Sequence, residues 1–328
     1  MPMQSEVRAQ AGTQSVYTTP VTPTVAIRGI DELSLKSPND IEVIGDMTQA
    51  LAGGDIGLVN GLNATGSMKG WGNYEHLPYW LDNLLGQATP SGAGPYTRAY
   101  AAPITTAPTP RIMTLVKGDA TVGAYRMAGA LLSNFMMRLE PKKRLAISGD
   151  LIGIQLSPTT LASLTAASVI PIQPNHVGAT GLKWDSWGGT MGTTTLANCT
   201  LRFMELSIKP DRNSRWCLGN LAAQSYVEKP WDGTLKLGLE FNATTKTDVD
   251  AIVGGTLTQK QFQVTLSPGA SQSLVVQFAG TVQNDLEIFG DDDGVVTVEL
   301  TLQRTYHATF GNWLKMSVIN TISNAAMV

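Results

Sequence analysis

The feature that most constrains this chain is that it repeats itself. Glu32-Leu-Ser-Leu-Lys36 returns as Glu205-Leu-Ser-Ile-Lys209, an offset of 173 (205 − 32), and each copy is followed by a proline, Pro38 or Pro210, and then by Gly45-Asp46 or Gly219-Asn220. Gly66-Ser-Met-Lys69 answers to Gly233-Thr-Leu-Lys236. An apolar segment ending Leu84-Leu85-Gly86 answers to Ile252-Val253-Gly254, and Ala128-Gly129 to Ala279-Gly280, an offset of 151 (279 − 128). Four matches in one order, with slowly falling offsets, are what a duplicated unit gives when its loops change length. At 328 residues the chain is long enough for two cores. The boundaries read as an extended N-terminal arm over 1–23, a first unit over 24–160, a Thr/Ala/Gly/Pro-rich connection over 161–195 that carries Trp184 and Trp187, and a second unit over 196–328.

Within each unit the apolar residues alternate. Leu235, Leu237, Leu239 and Phe241 oppose Thr234, Lys236 and Glu240. Val296, Val298, Leu300 and Leu302 oppose Thr297, Glu299, Thr301 and Gln303, and Leu33 and Leu35 oppose Glu32, Ser34 and Lys36. One face is buried and one is wet, which belongs to antiparallel sheets rather than to the doubly buried parallel sheets of α/β enzymes. Each unit also holds one segment of helical period. In the first, Leu77, Trp80, Leu81, Leu84 and Leu85 precede Gly86; in the second, Val249, Ile252 and Val253 form the stripe, Asp248 and Asp250 stand in the first turn, and Gly254 is the stop. The expected fold is mainly β: two tandem antiparallel β-sandwich or partial-barrel units, each flanked by a single α-helix.

Chemistry is sparse. Histidines are limited to His76, His176 and His307, and no zinc-spaced cysteine pair, P-loop or nucleophile motif accompanies them, so no catalytic residue, cofactor or metal is expected. His76 reads as a surface or helix-start residue. Asp291-Asp292-Asp293-Gly294 between two alternating runs is explained by a turn without calcium, because the EF-hand spacing is missing. Cys199 and Cys217 read as reduced thiols, the sequons at Asn63, Asn198 and Asn242 as incidental, and the seven tryptophans as core or interface anchors. Net charge is −3 and the longest basic run is Lys142-Lys143-Arg144, so tight nucleic-acid binding is not expected; nor is a secretion signal or a membrane span. Charged residues are only 15% of the chain, which suits a surface largely buried against copies of itself.

The run Gly66-Ser-Met-Lys-Gly-Trp-Gly-Asn-Tyr-Glu-His-Leu-Pro-Tyr-Trp-Leu-Asp-Asn-Leu-Leu-Gly86, then Pro110-Arg-Ile-Met-Thr-Leu-Val-Lys-Gly118 and the hairpin from Tyr125 to Ile154, resembles the tail tube proteins of long-tailed bacteriophages. The resemblance covers most of the first unit, and the second joins through the repeat. It implies a sandwich whose sheet edges meet those of its neighbours, closing a six-membered ring with a continuous β-barrel as inner wall and the helix on the outer side. Stacked rings form a tube through which DNA passes without specific binding. The implied partners are further copies of the chain and the tape-measure, tail-tip and tail-terminator proteins. The implied location is the virion tail, assembled in the host bacterial cytoplasm. Since each chain holds two units, three chains are expected per ring.

On that reading the polar strand faces line the lumen, with Glu32, Ser34, Glu205 and Ser207 as candidates and Lys36 and Lys209 partly compensating their charge. The basic turn Lys142, Lys143 and Arg144 and the acidic turn Asp291, Asp292 and Asp293 occupy matching places and are expected at a contact between neighbouring units or stacked rings. The rival readings are the inner tube of a contractile tail or secretion apparatus, a capsid decoration or receptor-binding β-sandwich, and an enzyme on a β-sandwich.

Overall fold

A computed structural model describes residues 8–44, 56–283, 286–292 and 294–323 of the chain. Gly45-Asp46 and Asp293 lie outside the described residues. The first half runs β1 (Arg8–Gln14), β2 (Val25–Ala26), β3 (Ile30–Lys36), β4 (Asp40–Ile44), β5 (Ile56–Gly61), β6 (Ala64–Trp71), helix α1 (Leu77–Leu85), β7 (Tyr96–Ala101), β8 (Ile112–Asp119), β9 (Gly123–Leu139), β10 (Ala146–Gly153) and β11 (Leu156–Thr159). The second runs β12 (Val177–Ser186), β13 (Leu201–Lys209), β14 (Arg212–Arg215), β15 (Ser225–Glu228), β16 (Asp232–Glu240), helix α2 (Ala243–Val253), β17 (Gln259–Gly269), β18 (Gln272–Val282), β19 (Glu287–Asp292), β20 (Val295–Arg304) and β21 (Leu314–Asn320). All pairings between these strands are antiparallel, so the mainly β, antiparallel character expected from the alternation is present.

The pairing order itself repeats. β3 pairs β6, β6 pairs β10 and β10 pairs β9; likewise β13 pairs β16, β16 pairs β20 and β20 pairs β19. Even the register is kept: Glu32, Leu33, Ser34 and Leu35 face Lys69, Met68, Ser67 and Gly66, as Glu205, Leu206, Ser207 and Ile208 face Lys236, Leu235, Thr234 and Gly233. A one-residue slip would turn every buried side chain outward, so the shared alternation pins both pairings. β1 lies against β8 and β12 against β17, so both the N-terminal stretch and the 161–195 connection contribute strands. The long strand β9 runs through two layers, pairing β8 and β11 with its first part and β10 with its second. β18 does likewise, pairing β21 and then β20.

Two seams join the halves. β9 pairs β13, with Met204 to Ile208 opposite Leu139 to Phe135, and β7 pairs β21. The sheet order β3-β6-β10-β9-β13-β16-β20-β19 is therefore continuous across the midpoint of the chain. One apolar cluster follows it from Leu33 and Met68 through Phe135 and Met137 to Leu206, Leu235, Leu300 and Val318.

Several local expectations shift. All nine residues of α1 are buried, because strand β7 and the β14–β15 hairpin close over it; it is not an outer cover. Helix α2 starts a turn early, capped by the Asn242 side chain accepting from Thr244 N and Thr245 N, so Asp248 and Asp250 are not in its first turn. Val249 and Ile252 are buried but Val253 is 68% exposed, as is Val296 at 47%. Ala128-Gly129 and Ala279-Gly280 lie inside β9 and β18 rather than opening them. Cys199 and Cys217 are free and exposed. Trp80, Trp184, Trp231 and Trp313 are buried, whereas Trp216 is 43% exposed.

Candidate functional site

The continuous sheet presents one polar face. Glu32 and Lys36 on β3 and Lys209 on β13 are exposed, and Ser34, Glu205 and Ser207 are half-buried. Their neighbours Leu33, Leu206 and Ile208 point into the core. The six candidates thus share this face, three from each half. The two glutamates among them meet cations on adjacent strands, and a further pair lies beside them. Lys69 lies 3.9 Å from Glu32, Arg138 Nη1 donates to Glu205 Oε2 at 2.8 Å, and Lys236 pairs with Glu299. The face is therefore a ladder of opposite charges more than an acidic wall, and it holds no unbroken row of cations that would bind phosphates.

The two charged turns line one cavity of about 670 Å³, with Lys142 and Lys143 on one bank and Asp291 and Asp292 on the other. Among the described residues the turns do not pair with each other. Lys143 Nζ lies 2.6 Å from Glu140 Oε2, and Asp292 Oδ2 is 2.7 Å from Arg202 Nε. Asp291 Oδ1 accepts from Gly294 N at 2.8 Å, so this aspartate holds its own turn. Arg144 sits over the Trp71 ring at 4.9 Å. Among the described residues no group of three or more His, Cys, Asp or Glu is placed to hold a metal.

Beneath the face, buried polar groups lock the elements together. Asp82, in the middle of α1, accepts from Arg111 Nε at 2.9 Å, Tyr100 Oη at 2.8 Å and Ala88 N at 3.2 Å. Burial raises its carboxyl above the usual range, and the Arg111 charge works against that rise. Asn83 Nδ2 donates to Arg111 O and Ala130 O, and its Oδ1 accepts from Leu132 N, where β9 passes between layers. His76, the residue before α1, is 2% exposed rather than on the surface, and its Nδ1 accepts from Arg28 N at 3.0 Å. His176 Nδ1 meets Tyr74 Oη at 2.9 Å, and His307 Nε2 meets Trp187 O at 2.6 Å.

Arg212 is the group that sequence reading missed most completely. It is 1% exposed, donates from Nε to Glu228 Oε1 at 2.6 Å, and donates to Asn83 O at 2.7 Å, Leu132 O at 3.2 Å and Leu84 O at 2.8 Å. It thereby satisfies carbonyls at the end of α1 that the helix leaves free, where a cation also complements the helix dipole. Nothing in its local sequence, Pro210-Asp-Arg-Asn-Ser, distinguishes it from a solvated turn arginine. Lys69 and Lys236 had a signal: they close the repeated Gly-[Ser/Thr]-x-Lys motif opposite the repeated glutamates.

No family model matches this chain, and no curated protein matches it. Among the described residues no helix is long and apolar enough to cross a membrane.

Proposed function

We propose that this chain is a structural subunit of a bacteriophage tail tube, built as two tandem tail-tube units and assembling three to a ring. The observation that carries this reading is the seam between β9 and β13, where the last strand of one set of four meets the first strand of the next. The same operation applied again would add β3 of another copy to β19. Among the described residues β3 pairs only β6 and β19 only β20, so each end of the eight-strand order has an unpaired edge. Unpaired edges template further strands, and closure into a barrel removes them. If six such sets complete the barrel, as the family resemblance implies, three chains supply them, and head-to-tail contacts close because the rotation divides the circle.

The polar face then becomes the inner wall. Lys69, Arg138 and Lys236 on it are matched by carboxylates, which weakens its hold on DNA. The remaining parts of the reading, namely tape-measure, tail-tip and tail-terminator partners and a place in the virion tail, follow from the tube itself. Electron microscopy of the concentrated protein tests it: rings or tubes are expected, and a protein that stays monomeric at every concentration, and also when tail-tip or tape-measure components are added, overturns it.

A further inference from the structure

The β14–β15 hairpin projects between β13 and β16 and lies back over the preceding half of the chain. Arg212 grips the end of α1, and Ser214 Oγ donates to Gly153 O at 3.4 Å. Ala222, Ala223 and Tyr226, from the hairpin and its turn, complete a small separate apolar cluster with Tyr17, Ala128, Leu131 and Ile154. The hairpin is thus a clasp holding one half to the next. The β4–β5 hairpin occupies the equivalent place in the first half, between β3 and β6. Its register puts Ile41 opposite Val59 and Val43 opposite Gly57, which gathers Ile41, Val43 and Val59 on one face; they are 63%, 65% and 47% exposed. The other face is mixed: Asn60 Nδ2 donates to Glu42 Oε2, and Leu58 stands opposite Glu42.

Part of the matching surface on the second half is bare, although Ala279 and Val282, the counterparts of Ala128 and Leu131, are buried. Val253 and Leu257, at and just beyond the end of α2, are 68% and 73% exposed. Tyr306, 54% exposed, stands at the register position of Gly153, since Leu302 faces Leu235 as Gly149 faces Met68. The chemistry of this second site differs in a consistent way. The carbonyls near the end of α2 are already taken, Asp250 O by Gly254 N, Ile252 O by Gly255 N and Ala251 O by Thr256 N, so no arginine is needed there. What remains is apolar surface, and the β4–β5 hairpin, tied just beyond its base by Leu62 N donating to Leu221 O, offers apolar surface with no arginine among its described residues.

We infer that the apolar face of the β4–β5 hairpin clasps the second half of a neighbouring copy in the same ring, against Val253, Leu257 and Tyr306. This inference rests on the ring reading above and adds to it a second, strand-independent contact. Burying three apolar side chains on each side would make such a contact contribute to the association energy.

Paired cysteines test it. In a Cys199→Ser, Cys217→Ser background, Ile41→Cys and Tyr306→Cys are introduced together, and the assembled protein is treated with a short bismaleimide. Covalent species of two and three chains are expected, with the ladder stopping at three. Rings that form but yield no cross-link overturn the clasp and leave the ring reading intact, whereas a ladder running past three places the hairpin between stacked rings and also overturns it. A protein with no rings at all overturns both. As a second readout, Ile41→Asp with Val59→Asp should raise the concentration needed for assembly at least tenfold without moving the thermal midpoint of the unassembled chain; unchanged assembly contradicts the inference.

Discussion

Arg138 on β9 donates to Glu205 on β13 at 2.8 Å, across the seam where the two halves of the chain become one sheet. The guanidinium also lies 2.5 Å from Glu140 and 4.9 Å from the Phe203 ring centre, so it ties together both strands and the turn beyond them. With 44% and 25% of the two side chains exposed, the pair specifies register more than it stabilises.

The seam should therefore respond unequally to two substitutions. Arg138→Ala should cost about 1 kcal/mol or less, because water screens the pair. Phe135→Ala, on the same strand but wholly buried, should cost about 3–5 kcal/mol through lost burial and the cavity it leaves. Urea unfolding of both variants checks the ordering, and a larger loss for Arg138→Ala would contradict it.

Arg212→Ala removes a buried cation and strands Glu228 and the carbonyls of Asn83, Leu84 and Leu132. A loss of about 3–5 kcal/mol is expected in urea unfolding. Arg212→Lys should recover part of it, since an ammonium keeps the charge but not the fork that reaches several acceptors.

Most of the fold was legible because strand alternation and the repeat carry it. The pairing of Glu32-Leu-Ser-Leu with Lys69-Met-Ser-Gly could be read from its twin, and α1 stands where its apolar spacing puts it. What the sequence concealed is contact at long range. Nothing local indicates that Arg212 reaches α1, or that β7 joins β21 across more than two hundred residues. The same blindness made α1 look amphipathic, since a helix roofed by a distant hairpin buries its polar side too. The start of α2 was misplaced because the Asn242–Thr245 capping box follows Phe241 directly, so the end of the strand alternation masks the helix start.

Acid should weaken the fold through His76. Burial, with the Arg28 charge adding to it, holds its imidazole below the ordinary histidine value, and its Nδ1 must be unprotonated to accept from Arg28 N. The unfolded chain then takes up the proton first. Stability from this group is complete above about pH 6.5 and is lost as pH falls below it. His176, also lowered by burial, adds in the same direction. Unfolding free energies measured at neutral and mildly acid pH should differ less in His76→Gln than in the parent; an equal difference would exclude His76 as the cause.

On the proposed ring, the closing edge would carry a charge mismatch that the internal seam lacks. Glu287 faces Glu299 on β20 as Arg138 faces Ala146 on β10, and Glu299 and Ala146 each lie two residues before the partner of the repeated lysine. Glu287 thus takes the place of Arg138, and Glu32 of the next copy would meet a carboxylate where Glu205 meets a guanidinium. Glu287→Arg should lower the concentration needed for assembly by about two- to fivefold, in keeping with an exposed pair. Sedimentation at matched ionic strength reads this directly, and weaker assembly would show that the closing register differs from the internal one.

Mass per ring layer, measured by electron microscopy on assembled tubes, bears most directly on the central claim. If the β9–β13 seam is the template for closure, each layer holds three chains, with true three-fold symmetry and six similar sheets around the lumen. A layer of six chains would mean that only half of each chain lines the channel, and would contradict the account.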